Sequence, residues 1–169
     1  MIDTELYQAK ILYPFQESTV KTILQELEDN GKEFNLLFQL PTGGGKTVIF
    51  SEIAKRYIER TKEKVLILTH RIELSVQTSK QLTAIGVGNK VINSEVKDIP
   101  DQGAFECYIA MVETLNNRLN EDKNFIENIG LVIVDEAHGS LDQPPLLQKG
   151  IVGVNQHIHD GVADTQHVD

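Results

Sequence analysis

Residues 131–138 have the sequence LVIVDEAH, in which four apolar side chains run directly into two carboxylates. A continuous apolar run, rather than an alternating one, is typical of a parallel β-strand that is covered on both faces. In open α/β sheets, ligands collect at the carboxyl ends of the strands. Asp135 and Glu136 are therefore expected where a bound metal or nucleotide can meet them.

A phosphate-binding loop is predicted upstream, at residues 41–47, PTGGGKT. It follows an apolar run and precedes a helical pattern, which is the strand, loop and helix order that such a loop needs. Glycines let several backbone N–H groups point at one anion, and the helix dipole adds to the attraction. We expect Lys46 to reach the outer phosphates and the Thr47 hydroxyl to bind magnesium. The general motif has glycine where this chain has Leu40, and a plain structural turn is the alternative.

Composition limits the class of protein. The 169 residues correspond to one domain, and the net charge of −9 means that any nucleic-acid contact must depend on a local basic patch. The single cysteine, Cys107, cannot form an internal disulfide, which favours a reducing setting. No apolar stretch approaches the roughly 20 residues that span a bilayer, and the acidic N-terminus is unlike a signal peptide. We expect a soluble, cytoplasmic protein with no membrane contact.

Apolar periodicity predicts helices and strands in alternation. The predicted helices cover residues 14–29, 46–60, 74–85, 112–119 and 121–128. The predicted strands cover residues 36–40, 65–68, 90–93, 105–111 and 131–134. With right-handed crossovers, this alternation predicts an α/β domain with a mainly parallel sheet.

Arg71 lies between a predicted strand and the start of the next helix. A cation near a helix N-terminus opposes the dipole at a cost of about 0.3–1 kcal/mol, and a bound nucleic-acid phosphate would offset that cost. A solvated arginine paired with Glu73 is the alternative.

The pattern weakens beyond residue 139. Pro144 and Pro145 break any helix or central strand, and His157 and His159 are too few ligands for a metal site. We expect an ordered unit at residues 1–140 and a divergent or poorly ordered tail at residues 141–169.

Five segments stand in the order of a known family: Phe15-Gln16, PTGGGKT, LTHR at residues 68–71, Thr114-Leu115 and DEAH at residues 135–138. With them, the chain resembles the first RecA-like lobe of a superfamily two DEAD/DEAH-box helicase. Within that superfamily it is most similar to the Res-like branch, the motor subunit of type III restriction enzymes. The resemblance covers approximately residues 10 to 140 and implies a P-loop NTPase fold of three layers, with the sheet sandwiched between helices. The family's loop commonly lacks the leading glycine.

The resemblance implies a role for each matching residue at the nucleotide. Gln16 resembles the glutamine that reads adenine, and Glu136 the acid that positions and deprotonates the attacking water. Asp135 and Thr47 resemble the magnesium ligands. The triphosphate cradle is implied for Thr42, Gly43, Gly44, Gly45, Lys46 and Thr47.

The remaining matches imply contacts with nucleic acid. His70, Arg71 and Thr114 resemble residues that contact the strand backbone, which is a sequence-independent and salt-sensitive interaction. His138 resembles the residue that couples the nucleotide site to nucleic acid and to a second lobe.

The resemblance therefore implies an ATP-dependent helicase-type enzyme. It would hydrolyse ATP with magnesium to drive translocation or unwinding, act on nucleic acid with DNA favoured over RNA, and pair with a second RecA-like lobe or a partner subunit. That lobe and the family's Ser/Thr-Ala-Thr motif have no counterpart here, so we expect a chain cut short after DEAH and weak or no activity alone. A non-catalytic module that binds nucleotide or nucleic acid, and a P-loop ATPase with another substrate, stay open.

Overall fold

Six strands form one sheet in the computed structural model, which describes residues 11–30, 35–41, 45–136 and 147–153. The strands are β1 (Asn35–Pro41), β2 (Lys64–Thr69), β3 (Asn89–Ile92), β4 (Cys107–Met111), β5 (Ile129–Glu136) and β6 (Leu147–Gly153). Their order across the sheet is β1-β6-β5-β2-β4-β3. β2 pairs in parallel with β4 and β5, β3 pairs in parallel with β4, and β6 is antiparallel to both of its neighbours. The prediction of a mainly parallel sheet is confirmed.

Four α-helices pack on the two faces of the sheet: α1 (Pro14–Asn30), α2 (Lys46–Thr61), α3 (Ile72–Ala84) and α4 (Val112–Glu121). Apolar residues of α1, α2 and α3 share one core with one face of the strands, and residues of α4 share a second core with the other face. The structure is therefore the predicted three-layer, RecA-like α/β fold.

The central strand β5 shows why its sequence is continuously apolar. Leu131 and Ile133 face the core beneath α1–α3, while Val132 and Val134 face the core beneath α4. All four side chains are buried because both faces of the strand are covered. The strand thus ends at Asp135 and Glu136 with its whole apolar run enclosed.

The predicted helix at residues 121–128 is wrong. α4 ends at Glu121, and the Asp122 carboxylate then accepts a hydrogen bond of 2.9 Å from the Asn124 backbone N–H. Asn128 adopts a positive φ of 61°, which a helix does not allow. Phe125 and Ile126 are buried side by side in the second core, so these apolar residues fill a turn and do not form a helical stripe.

β6 was not predicted from the sequence. Its residues lie between β1 and β5, with Asp135 opposite Gly150 and Glu136 opposite Lys149. The strand carries no clear alternation of apolar and polar side chains, so only its pairing with two distant strands defines it. The other residues from 141 onward lie outside the described ranges, and the boundary at residue 140 stays a prediction.

Within the described residues, no helix is long and apolar enough to cross a membrane.

Candidate functional site

Four strands and three helices meet at one edge of the sheet. β2, β4 and β5 run in one direction, and β1 shares it because both β1 and β5 are antiparallel to β6. These four strands end at the same edge, where α2, α3 and α4 begin. We call this the carboxyl edge. It gathers the segments that carry the predicted site residues.

Lys46 and Asp135 are in contact at the carboxyl edge. Lys46 is the first residue of α2, and its ammonium group forms an ion pair with the Asp135 carboxylate near the end of β5. Both residues are only 8% exposed, and the Lys46 amine also lies 5.7 Å from the centre of the Phe50 ring. The glycine-rich segment and the acidic segment therefore meet, as the motif order predicted.

Gln16 packs against the start of α2. It is 4% exposed, and its side-chain carbonyl accepts a hydrogen bond of 2.8 Å from the Tyr13 backbone N–H. Gly45 precedes α2 with a φ of 75°, a conformation that favours glycine. A Cβ added to Gly45 would overlap the Gln16 side-chain nitrogen. Gly45 is therefore required both for the turn and for the close approach of Gln16.

The oxygen donors at the carboxyl edge suit magnesium. The Asp135 carboxylate is buried, and Thr47, in the first turn of α2, is half-buried. Carboxylate and hydroxyl oxygens are the hard ligands that Mg²⁺ takes in nucleotide sites. Glu136 ends β5, but its side chain lies outside the described part of the chain, as do Thr42, Gly43, Gly44 and His138. The roles of these five residues stay predictions.

His70 and Arg71 connect β2 to α3 at the same edge, and both are exposed. Arg71 precedes α3 in an extended conformation, and among the described residues no ion pair joins it to Glu73. Thr114 is half-buried in the first turn of α4. Because Thr69 is paired with Met111 in neighbouring strands, α3 and α4 begin side by side. The three predicted strand-contact residues thus share one edge.

Two polar contacts that join the elements of this site were not predicted from the sequence. The buried Thr69 hydroxyl lies 2.7 Å from the Ser75 hydroxyl, which links the end of β2 to α3. Arg56 in α2 forms two hydrogen bonds, of 2.9 and 2.7 Å, with the Glu17 carboxylate in α1. No local sequence pattern predicts this pair, because its members are 39 residues apart in sequence.

The chain is similar to a known protein family and to individual helicases. The family model described as type III restriction enzyme, res subunit, matches residues 9–161. The protein provisionally named ATP-dependent helicase IRC3, from Saccharomyces cerevisiae, is 32% identical over 149 residues, which cover 80% of this chain and 20% of that protein. The ATP-dependent RNA helicase DHX58 of Mus musculus is 29% identical over 130 residues, which cover 70% of this chain and 19% of the relative.

The fold also matches a solved structure. The UvsW helicase from Bacteriophage T4 superposes with a TM-score of 0.56 at 19% sequence identity, over 76% of this chain and 44% of that chain. The present chain spans about one fifth of the length of the curated relatives that it matches. Because the family model matches residues 9–161, the chain belongs to the family of the type III restriction enzyme res subunit and contains a helicase-family ATPase domain.

Proposed function

We propose that this chain is the ATP-binding lobe of a nucleic-acid-dependent ATPase. It hydrolyses ATP with magnesium, and in the full motor that hydrolysis drives translocation or unwinding. The contact between Lys46 and Asp135 carries the proposal, because it joins the two segments that a phosphate-bound magnesium ion requires.

The position of Lys46 supports a role in phosphate binding. A cation in the first turn of a helix opposes the helix dipole, so an anion must offset the cost. Asp135 is that anion in this structure. In the working protein, the outer phosphates of ATP would attract the Lys46 amine, while the backbone N–H groups at the start of α2 would face the same phosphates.

Asp135 and Thr47 would hold the magnesium ion. When bound, the ion neutralises charge on the phosphate oxygens, which is the main electrostatic requirement of phosphoryl transfer. Glu136, the next residue after Asp135, would orient the attacking water and accept its proton. Gln16 would hydrogen-bond the adenine edge, and its close packing on Gly45, at the end of the glycine-rich segment, supports this role.

Nucleic acid would bind along the same edge. His70, Arg71 and Thr114 would contact the strand backbone, and their local patch would have to overcome the net charge of −9. We favour DNA over RNA as the nucleic acid, and a cytoplasmic setting for the protein.

His138 would couple this surface to the nucleotide site. A second RecA-like lobe, or a partner subunit, would supply an arginine finger, which accelerates related NTPases by about 10³–10⁵. The lobe alone should therefore turn over slowly.

The test measures binding and hydrolysis of Mg-ATP by this chain with and without single-stranded DNA, double-stranded DNA or RNA. We expect binding, and slow hydrolysis that a polynucleotide stimulates. Glu136→Gln should bind ATP but lose hydrolysis, and Lys46→Ala should lower hydrolysis by about 100-fold or more. Lys55→Ala, on the same helix, is the control and should behave like the wild type.

Other outcomes have other meanings. Failure of the wild type to bind Mg-ATP overturns the proposal. Binding without turnover in the presence of every polynucleotide favours a non-catalytic module, and turnover that no polynucleotide changes favours an ATPase with another substrate.

A further inference from the structure

Arg56 uses its whole guanidinium group to join helices. Its two terminal nitrogens donate to the two Glu17 oxygens at 2.9 and 2.7 Å, and its Nε donates to Glu52 at 2.9 Å. A two-bonded arginine–carboxylate pair defines orientation as well as distance, because both groups are planar. The Glu17–Arg56 pair therefore adds an orientation constraint to the apolar packing between α1 and α2.

The pair is connected to the Gln16 contact through α1. Glu17 follows Gln16 in the first full turn of α1, whereas Gly45 precedes α2 and Arg56 lies further along that helix. Since adjacent residues of a helix keep a constant angle about its axis, holding Glu17 also fixes where the Gln16 side chain leaves the helix. That side chain packs so closely on Gly45 that a single added methyl group would collide with it.

A second ion pair between the same helices has none of these features. Arg60 and Glu28 are 3.5 Å apart through one nitrogen, and their side chains are 54% and 67% exposed. The Arg56 and Glu17 side chains are 24% and 35% exposed. The Arg56 hydrogen bond lowers the pKa of the Glu17 carboxyl, which favours its charged form. The two ion pairs between α1 and α2 can therefore be compared directly. Only the Arg56–Glu17 pair has two hydrogen bonds and includes the residue next to Gln16.

We propose that Arg56 and Glu17 are positioning residues for nucleotide selection: their pairing holds the Gln16 amide against the Gly45 turn and so sets the preference for adenine over guanine. The inference rests on the proposed function, in which Gln16 reads the base. It adds two residues, outside every motif found in the sequence, that act through Gln16 and do not touch the nucleotide themselves.

The experiment measures dissociation constants for Mg-ATP and Mg-GTP by competition against a fluorescent methylanthraniloyl-ADP probe. The variants are Arg56→Lys, which keeps the charge and loses the fork, Glu17→Gln, which keeps the shape and loses the charge, and Gln16→Ala. The double variant Gln16→Ala/Arg56→Lys tests whether Arg56 acts through Gln16. Arg60→Lys is the matched control on the same helix.

We expect the wild type to prefer ATP. Arg56→Lys and Glu17→Gln should each reduce the ratio of ATP affinity to GTP affinity roughly fivefold. The affinity for ATP should fall, and the affinity for GTP should stay unchanged. Arg60→Lys should stay within about twofold of the wild type. Adding Arg56→Lys to Gln16→Ala should cause no further loss of preference.

The contrary results are distinct. If Arg56→Lys lowers the Tm but leaves the affinity ratio unchanged, or if its effect adds fully to that of Gln16→Ala, then Arg56 only stabilises the fold and the inference is overturned. A wild type that binds ATP and GTP equally also overturns it, while phosphate binding survives. A wild type that binds neither nucleotide overturns the proposed function itself.

Discussion

The two edges of the sheet use their polar side chains differently. At the carboxyl edge, Lys46 contacts Asp135, and His70 and Arg71 are exposed beside the start of α3. We call the opposite edge, where β2, β4 and β5 begin, the amino edge. There the Tyr57 hydroxyl donates to Glu63 at 2.7 Å, and the Lys64 amine donates to a backbone carbonyl and contacts the Tyr108 ring.

The difference separates stability from binding. Polar groups at the amino edge satisfy one another and the backbone, which is what burial requires of groups that serve only the fold. At the carboxyl edge, Lys46 and Arg71 lie where helix dipoles oppose them; Asp135 offsets this cost for Lys46, whereas Arg71 is exposed. Such an arrangement favours anionic ligands, so substitutions at the two edges should separate stability from binding.

The largest effect should come from Lys46→Ala. Mg-ATP at a hundredfold its Kd should stabilise the wild type by about 2.7 kcal/mol. The variant should lose that stabilisation because it binds the phosphates of ATP less tightly. Urea unfolding with and without Mg-ATP measures it, with Lys55→Ala as the control that keeps the shift. A full ATP-dependent shift in Lys46→Ala would remove the distinction between the edges.

Gly130→Ala should act only on stability. A Cβ at Gly130 would lie 2.6 Å from the Tyr57 hydroxyl and would overlap the Glu63 carboxylate, so their hydrogen bond must break or move. We expect a loss of about 1–3 kcal/mol in the free energy of unfolding, with ATP affinity unchanged. Gly103→Ala is the control, since nothing lies within 4 Å of its added Cβ. A variant that stays stable but binds ATP poorly would contradict the assignment of the amino edge.

Arg71→Ala should act only on nucleic-acid binding. Removing one phosphate contact should weaken affinity by about fivefold and make the dependence of log K on log salt shallower by about one contact. Stability should change by less than about 0.5 kcal/mol, because the side chain is exposed. Titrations of a fluorescent oligonucleotide at several salt concentrations measure the slope. Lys80→Ala, an exposed cation further along α3, should leave it unchanged, and an equal change there would indicate a diffuse charge effect.

The smallest effect should be a gradual decrease of the free energy of unfolding as the pH becomes alkaline. Burial is the main cause that raises the pKa of Cys107 and of Tyr57, and it raises the pKa of Tyr108 to about 12. All three lie toward the amino edge. In the unfolded chain the pKa is 9.0 for cysteine and 10.0 for tyrosine. Because the pKa of each group is higher in the folded state, its contribution to stability is complete below the unfolded pKa and is lost as the pH rises toward the folded pKa.

Urea unfolding from about pH 8 to 11 should therefore show decreasing stability. Tyr57→Phe should flatten part of the slope, while Tyr13→Phe, at an exposed tyrosine, should not. Stability that rises over this range would show that the buried acids do not control it.

Much of the fold could be predicted because its signals are local. The apolar run before Asp135, the glycines before Lys46 and the spacing of apolar residues in α2 each report a strand, a turn or a helix within a few residues. Where the local signal misled, as at Phe125 and Ile126, two adjacent apolar side chains filled a gap in the second core and did not continue a helix. β6 escaped prediction because its partners, β1 and β5, are distant in sequence.

By itself, the amino-acid sequence determined the order of the elements, the enclosure of β5 and the identity of the residues at its end. The sequence motifs also predicted that the segments of Lys46 and Asp135 meet, but the tertiary structure alone decided that Gln16 packs on Gly45 and that Arg56 joins Glu17. The reason is that hydrogen-bond patterns along a helix or strand depend on near neighbours. Contacts between elements depend on the sheet that brings distant residues together, and periodicity does not encode which side chains will meet there.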